Sequence, residues 1–300
     1  MRISQRFTFV LPLIAIATLS VGHAEQQDWE KIKAAAAKGD ATAQYTLGKA
    51  YFTGDGMTRD YSLALDLFRK AAEQGNAKAE NNIGVIYQKG CGVKPDAAEA
   101  LKWYTQAAEH GDATGQDNLG VMVANGRGTA KDAKKAAQWY QKAAEQGYAS
   151  GQFHLGLLYF LGEDGIAQDY AKAGKWIKMA AEQGNVEAQN AMGVIFNQGL
   201  GVEQDPKQAF AWISKAAEQG NPKAQSNLGQ MLAEGRGVEA DPIRAYQWLK
   251  LSSQKGEGTA LNYLKEFKFG LSREQIDQGE ELAFQWGKKF EESKSTQMPK

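Results

Sequence analysis

Sulfur chemistry is nearly absent from this chain: Cys91 is the single cysteine in 300 residues. No intramolecular disulfide can form, so stability must come from packing. Histidine is also scarce, with three residues. No His-Glu-x-x-His, no paired cysteines and no three-ligand cluster occur in the sequence, so no metal, cofactor or catalytic residue is assigned. Neither sign of charge is in excess, with 35 Lys and Arg against 35 Asp and Glu. Phosphate backbones demand a clustered positive surplus, which argues against nucleic acid as a partner. Proline is rare, at six residues, whereas glycine, at 33, is not. Long helices joined by short glycine turns have this composition.

Long hydrophobic runs are missing too. The longest, Phe7 to Leu19, falls short of the ~20 residues that span a bilayer. It follows Arg2 and Arg6 and precedes Gly22-His23-Ala24. A basic start, a short apolar stretch and small residues at the cleavage positions make a secretory signal peptide. Residues 1–24 are therefore expected to be removed after Ala24. The mature chain should carry no integral membrane segment and should reside in the periplasm or outside the cell.

Internal repetition dominates the rest. Ala-Ala-Glu-Gln-Gly occurs at Ala71–Gly75, Ala143–Gly147, Ala180–Gly184 and Ala216–Gly220, and Ala107–Gly111 differs only in His110. The glycines Gly39, Gly75, Gly111, Gly147, Gly184, Gly220 and Gly256 recur every 36 residues, with one step of 37. Such a period marks a solenoid of helix pairs. Within each unit, Asp40, Asn76, Asp112, Asn185 or Asn221 can cap a first helix. Positions four, eight, nine and twelve after the glycine form its buried stripe, as in Ala43, Leu47, Gly48 and Tyr51. A glycine pair ends it, and Asp60, Asp96, Asp132, Asp169, Asp205 or Asp241 caps the second helix. The second helices carry Trp103, Trp139, Trp176, Trp212 and Trp248 in register, which are expected to fill the space between successive units.

The pattern Ala-Gln-x-x-Leu-Gly-x-x-Tyr, Gly-x-Gly-Val, Asp, Ala-x-x-Trp, Ala-Ala-Glu-Gln-Gly resembles the Sel1-like repeat, a relative of the tetratricopeptide repeat. Gln189 to Gly220 matches it closely. The resemblance implies an all-α, right-handed α/α superhelical solenoid of six repeats, at 39–74, 75–110, 111–146, 147–183, 184–219 and 220–255. Residues 25–38 are expected as an N-terminal capping helix. A partial seventh repeat and a capping helix should occupy 257–290, closing the last unit through Ile276, Leu282, Phe284 and Trp286. Residues 291–300 are expected to be a flexible tail.

In such solenoids the first helices line a concave surface that binds another protein. Positions six, ten and thirteen flank the buried stripe. They supply Tyr45, Asn81, Asp117, Phe153 and Asn190; then Val85, Val121, Leu157 and Val194; then Phe52, Phe160 and Asn197. The apolar row either faces a partner or packs against the second helix of its own unit; Phe153 and Phe160 are expected on the surface. The asparagines are either neutral fillers or suited to bonding an extended peptide. His110 is expected as a solvated helix-end residue and Cys91 as an exposed thiol. Ser252-x-x-Lys255 matches a motif of β-lactamase-type enzymes, which the family resemblance brings into question, but no companion motif accompanies it. The sequence thus points to an exported bacterial scaffold, an adaptor or regulator in the cell envelope. A periplasmic immunity-type inhibitor of a secreted toxin is the alternative, with a β-lactamase-like enzyme behind it. Oligomeric state stays open.

Overall fold

The computed structural model describes residues 29–162 and 165–297, with side chains to 294. The expected signal peptide lies outside the described residues. All regular structure among these residues is helical. The chain divides into two compact units, the first ending at Asn76 and the second beginning at Ala77.

The first unit holds α1 (residues 29–37), α2 (Ala41–Thr53) and α3 (Tyr61–Ala72). Ala36 of α1 is buried with Ala43 and Leu47, so α1 supplies the second-helix face on which α2 packs. Asp40 starts α2 by accepting the Ala43 amide at 2.7 Å, satisfying an otherwise orphaned donor.

The second unit repeats this theme in α4 (Ala77–Lys89), α5 (Ala97–Glu109), α6 (Ala113–Ala124), α7 (Ala133–Glu145), α8 (Ala149–Leu161) and α9 (Tyr170–Glu182). It continues with α10 (Val186–Gln198), α11 (Pro206–Glu218), α12 (Pro222–Glu234) and α13 (Pro242–Gln254). Within this unit each of these even-numbered helices pairs with the next, and each pair stacks on the following one. The glycine loops are demanded by geometry. Gly128 sits at φ 73°, and a Cβ there would stand 2.6 Å from the Ala97 carbonyl oxygen of the preceding unit.

The close pairing has one cause that recurs. The ninth position of every first helix is glycine, and a large side chain of the second helix lies over it. A Cβ at Gly84 would stand 2.6 Å from the Tyr104 ring, and one at Gly120 would stand 2.5 Å from the Tyr140 ring. Phe68, Tyr104, Tyr140, Ile177, Ile213 and Leu249, each one residue after the leucine or tryptophan in register, are all buried. This is the real core position. The tryptophans divide: Trp248 is buried, while Trp103, Trp139, Trp176 and Trp212 are half-buried. Trp176 packs against a core cluster shared by repeats two to four, and Trp212 against one shared by repeats four and five. Their outer edges stay near water, where Lys215 lies 4.3 Å from the Trp212 ring centre.

The C-terminal end differs from expectation. α14 (Gly258–Phe267), a 3-10 turn (Lys268–Gly270) and α15 (Arg273–Gln297) follow α13. α15 docks along α13 rather than pairing with α14. α14 carries Lys265 where every other first helix has glycine, so it offers no notch for a second helix. The docking face of α15 is Gly279, Ala283, Trp286 and Phe290, one stripe at steps of four, three and four. Leu282 and Phe284 flank that stripe and are exposed, Phe284 at 65%; they do not close the last unit. Ser272 and Gln275 form a capping box, with reciprocal bonds of 2.9 and 3.2 Å. α15 runs past Phe290 to Gln297, because Glu291 to Gln297 contains no proline or glycine. Residues 291–297, expected within a flexible tail, are helix, and residues 298–300 lie outside the described residues.

Candidate protein-binding surface

Three sets of polar side chains fix the first helices of the second unit. The fifth-position glutamines reach back to the preceding second helix: Gln116 Nε2 donates to the Ala108 carbonyl at 3.2 Å and Gln152 to that of Ala144 at 3.3 Å. The glutamine before each closing glycine then donates to the fifth-position glutamine, as in Gln146 to Gln116 at 2.8 Å and Gln219 to Gln189 at 2.7 Å. Finally, successive first helices bond to each other. Asn118 Nδ2 donates to Asn81 Oδ1 at 2.8 Å and Asn227 to Asn190 at 3.0 Å. First helices also approach one another more closely than second helices do, α4 to α6 and α6 to α8. They therefore line the inner side of this stack.

One joint of each kind exchanges amides for a carboxylate and a histidine. Glu80 replaces a glutamine, and His110 Nδ1 lies 2.9 Å from its Oε2. Asp117 replaces an asparagine, and His154 Nδ1 lies 2.7 Å from its Oδ1. Both carboxylates are buried. His110 is thus a paired residue, not merely a solvated helix end. The signal in the sequence was a double departure: both partners of each joint leave the repeat pattern together.

The inner surface itself is set by positions six, ten and thirteen. Val85, Val121, Leu157 and Val194 are half-buried and form an apolar row along α4, α6, α8 and α10. Val85 and Val121 also touch the core beneath, so both readings of the row hold in part. Phe153 and Phe160 are half-buried rather than fully exposed, packed on the fourth unit's core. Phe160 meets Tyr170 edge-on with centroids 5.3 Å apart. Asn81 and Asp117 are buried and engaged in the joints, as is half-buried Asn190. Their amides and carboxylate link repeats instead of standing open to a peptide. Half-buried Asn197 accepts a bond from Arg236 Nη1 at 3.3 Å. In the first unit, Tyr45 and Phe52 are half-buried around Phe68, with Phe52 edge-on to Tyr61 at 5.6 Å.

Burial explains the tyrosines within the stack. It pushes the Tyr104 phenol up, and it pushes Tyr140 up with help from the Asp117 charge. Elsewhere, Cys91 is half-buried in its loop rather than fully exposed. Ser252 is fully buried and donates to the Pro222 carbonyl at 2.6 Å, while Lys255 Nζ donates to the Gly220 carbonyl at 2.8 Å. Among the described residues no three His, Cys, Asp or Glu side chains are grouped to hold a metal ion. No helix among them is long and apolar enough to cross a membrane.

These features define an all-α solenoid built from tandem helix pairs. The Sel1 repeat model matches residues 41–76, 77–112, 113–148, 149–185, 186–221 and 222–257, and the chain belongs to the Sel1 repeat family. The family frame opens each repeat at the first helix, two residues after the glycine used above. The chain is similar to the crystal structure of a Sel1 repeat protein from Oxalobacter formigenes, with 32% identity and a TM-score of 0.70 over 78% of this chain and 94% of that one. It is similar to a protective antigen of uropathogenic Escherichia coli with an SLR fold, at 30% identity and TM-score 0.44 over 87% and 72%. An immunity protein from Pseudomonas aeruginosa shows 21% identity and TM-score 0.48 over 73% and 83%. No curated protein matches the chain. Sel1 repeats bind proteins, and the chain is a protein-interaction scaffold of that kind.

Proposed function

We propose that the chain is exported and binds a partner protein on the inner surface of its first helices, as an adaptor or regulator in the bacterial cell envelope. One observation carries the binding site: the half-buried row Val85, Val121, Leu157 and Val194 runs across four consecutive first helices. The only carboxylate among the sixth, tenth and thirteenth positions of those helices, Asp117, is already paired with His154. A continuous apolar surface with a polar rim is an interaction site. Its preformed backbone keeps the ordering cost of binding low. The role is binding rather than turnover. Export rests on the charge and hydropathy pattern of residues 1–24, and it places the mature chain in the periplasm or outside the cell.

The test is quantitative capture of envelope proteins by residues 25–300, comparing wild type with Val121→Lys/Leu157→Lys. Capture that drops at least tenfold in the variant, with unchanged helicity by circular dichroism, supports the inner surface; equal capture refutes it. One stoichiometric hydrolase-like partner would replace the adaptor role with that of a toxin inhibitor. Recovery of uncleaved chain from the cytoplasm alone would refute export.

A further inference from the structure

In repeats two and three the second helix fills the space under the inner surface with a tyrosine. Tyr104 lies against Gly84 and donates its hydroxyl to Gln88 Oε1 at 2.7 Å. Gln88 in turn points its amide toward the Met122 sulfur at 4.0 Å. Tyr140 lies against Gly120, with the His154 ring of the next repeat 5.1 Å away. Repeat four has the shorter Ile177, and there Phe153 and Phe160 pack onto the same core.

Repeat five has neither arrangement. Ile213 stands where the tyrosines stand, and the sixth and thirteenth positions are Asn190 and Asn197. The result is a cavity of about 260 Å³ between α10 and α12. Three of its walls occupy positions that surround Tyr104 or Tyr140. Asn197 occupies the place of Gln88, Met231 that of Met122, and Asn227 that of His154, all lining the cavity with Val194, Gln230 and Arg236. The volume falls below the ~300–1,000 Å³ of small-molecule sites and suits one large side chain.

We propose that this cavity is a socket for a tyrosine side chain of the partner protein, bound where repeats two and three place their own. Half-buried Val194 provides the main apolar contact for the ring, and Ile213 and Met231, almost fully buried, also line the cavity. The side-chain carbonyls of Asn227 and Gln230 provide acceptors for its hydroxyl, as Gln88 does for Tyr104, while Asn197 Oδ1 already accepts from Arg236. A ring with a polar tip matches a pocket lined mainly by amides and Arg236, with Ile213 and Met231 among its walls. The inference rests on the inner surface being the binding surface, and it names one residue type that the surface reads.

The probe is N-acetyl-L-tyrosinamide, titrated into residues 25–300 while the methyl signals of Ile213, Val194 and Met231 are followed by NMR. Saturable shifts are expected, at least threefold weaker with the phenylalanine amide and absent with the leucine amide. Two variants fill the space from within: Ile213→Tyr copies repeats two and three, and Asn197→Phe copies repeat four. Both are expected to fold and to lose the response. The socket is overturned by no saturable shift in wild type, by shifts that survive in either folded variant, or by an equal response to leucine amide. An Ile213→Tyr chain that cannot fold also overturns it, since the space would then not be that of Tyr104. A failed socket leaves the capture experiment with the Val121/Leu157 variant unaffected, so the two readings fail separately.

Discussion

Two glycine-to-alanine substitutions in helix interiors should move stability in opposite directions. Gly174 lies inside α9, and a Cβ there meets nothing within 4 Å. Alanine is favoured over glycine in a helix by ~0.8–1 kcal/mol, so Gly174→Ala should stabilise by about that amount. Gly120 lies inside α6 under the Tyr140 ring, where a Cβ would stand 2.5 and 2.6 Å from two ring carbons. Tyr140 is buried at 4% exposure and is hemmed in by His154 at 5.1 Å, so the ring has nowhere to go. Overpacking a core by one methyl costs about 1–3 kcal/mol, which outweighs the propensity gain. Gly120→Ala should therefore be net destabilising, by up to roughly 2 kcal/mol. At ~2–4 °C per kcal/mol for a chain of this size, thermal melts by circular dichroism resolve both shifts. A Gly120→Ala protein as stable as wild type would refute the account of how first and second helices pair.

Two further predictions test the joints and the cap. His154→Ala leaves the buried Asp117 carboxylate without its 2.7 Å partner and should cost about 1–3 kcal/mol. Asp117→Asn/His154→Asn, which installs the amide pair used at Asn81 and Asn118, should recover most of that loss in urea melts; equal losses would contradict the equivalence of the joints. The Glu280 carboxyl is held below its ordinary range by hydrogen bonds from Lys250 and then Tyr246. Its contribution is complete above the unfolded carboxylate value, about 4.3, and fades as pH falls through the lower folded value. Acidification below about pH 4 should loosen α15 and change the fluorescence of the Trp248–Trp286 pair, whose centroids lie 5.5 Å apart. Glu280→Gln should remove that pH response, and an unchanged response would refute the assignment.

The repeat architecture was legible because it rests on local signals repeated six times. Cap residues, glycine pairs and the Ala-Leu-Gly stripe each recur at a fixed offset, so one misreading could not shift the frame. The core aromatic was harder to place. Trp139 and Tyr140 are adjacent and equally conspicuous, and only packing shows that Gly120 receives the tyrosine while the tryptophan bridges to water. The C-terminal cap misled for a similar reason. Trp286 docks as expected, but Leu282 and Phe284 do not; the rest of the contact runs through Gly279, Ala283 and Phe290, because close approach to Tyr246 and α13 needs small side chains at the first two. The inner surface was half legible: the valine row was visible at position ten, whereas the commitment of Asn81, Asp117 and Asn190 to inter-repeat bonds depends on partners 37 residues away. The repeat-five cavity had a faint sequence signal, an isoleucine at a tyrosine position with asparagine rather than phenylalanine at the sixth and thirteenth positions.

The central claim is that partners meet the first-helix face. A photo-crosslinking residue placed at Leu157 on that face, and separately at Lys178 on α9, whose side chain is 58% exposed, tests it most directly in growing cells. Adducts to another protein from position 157 and none from position 178 are predicted. Adducts from position 178 alone would contradict the account.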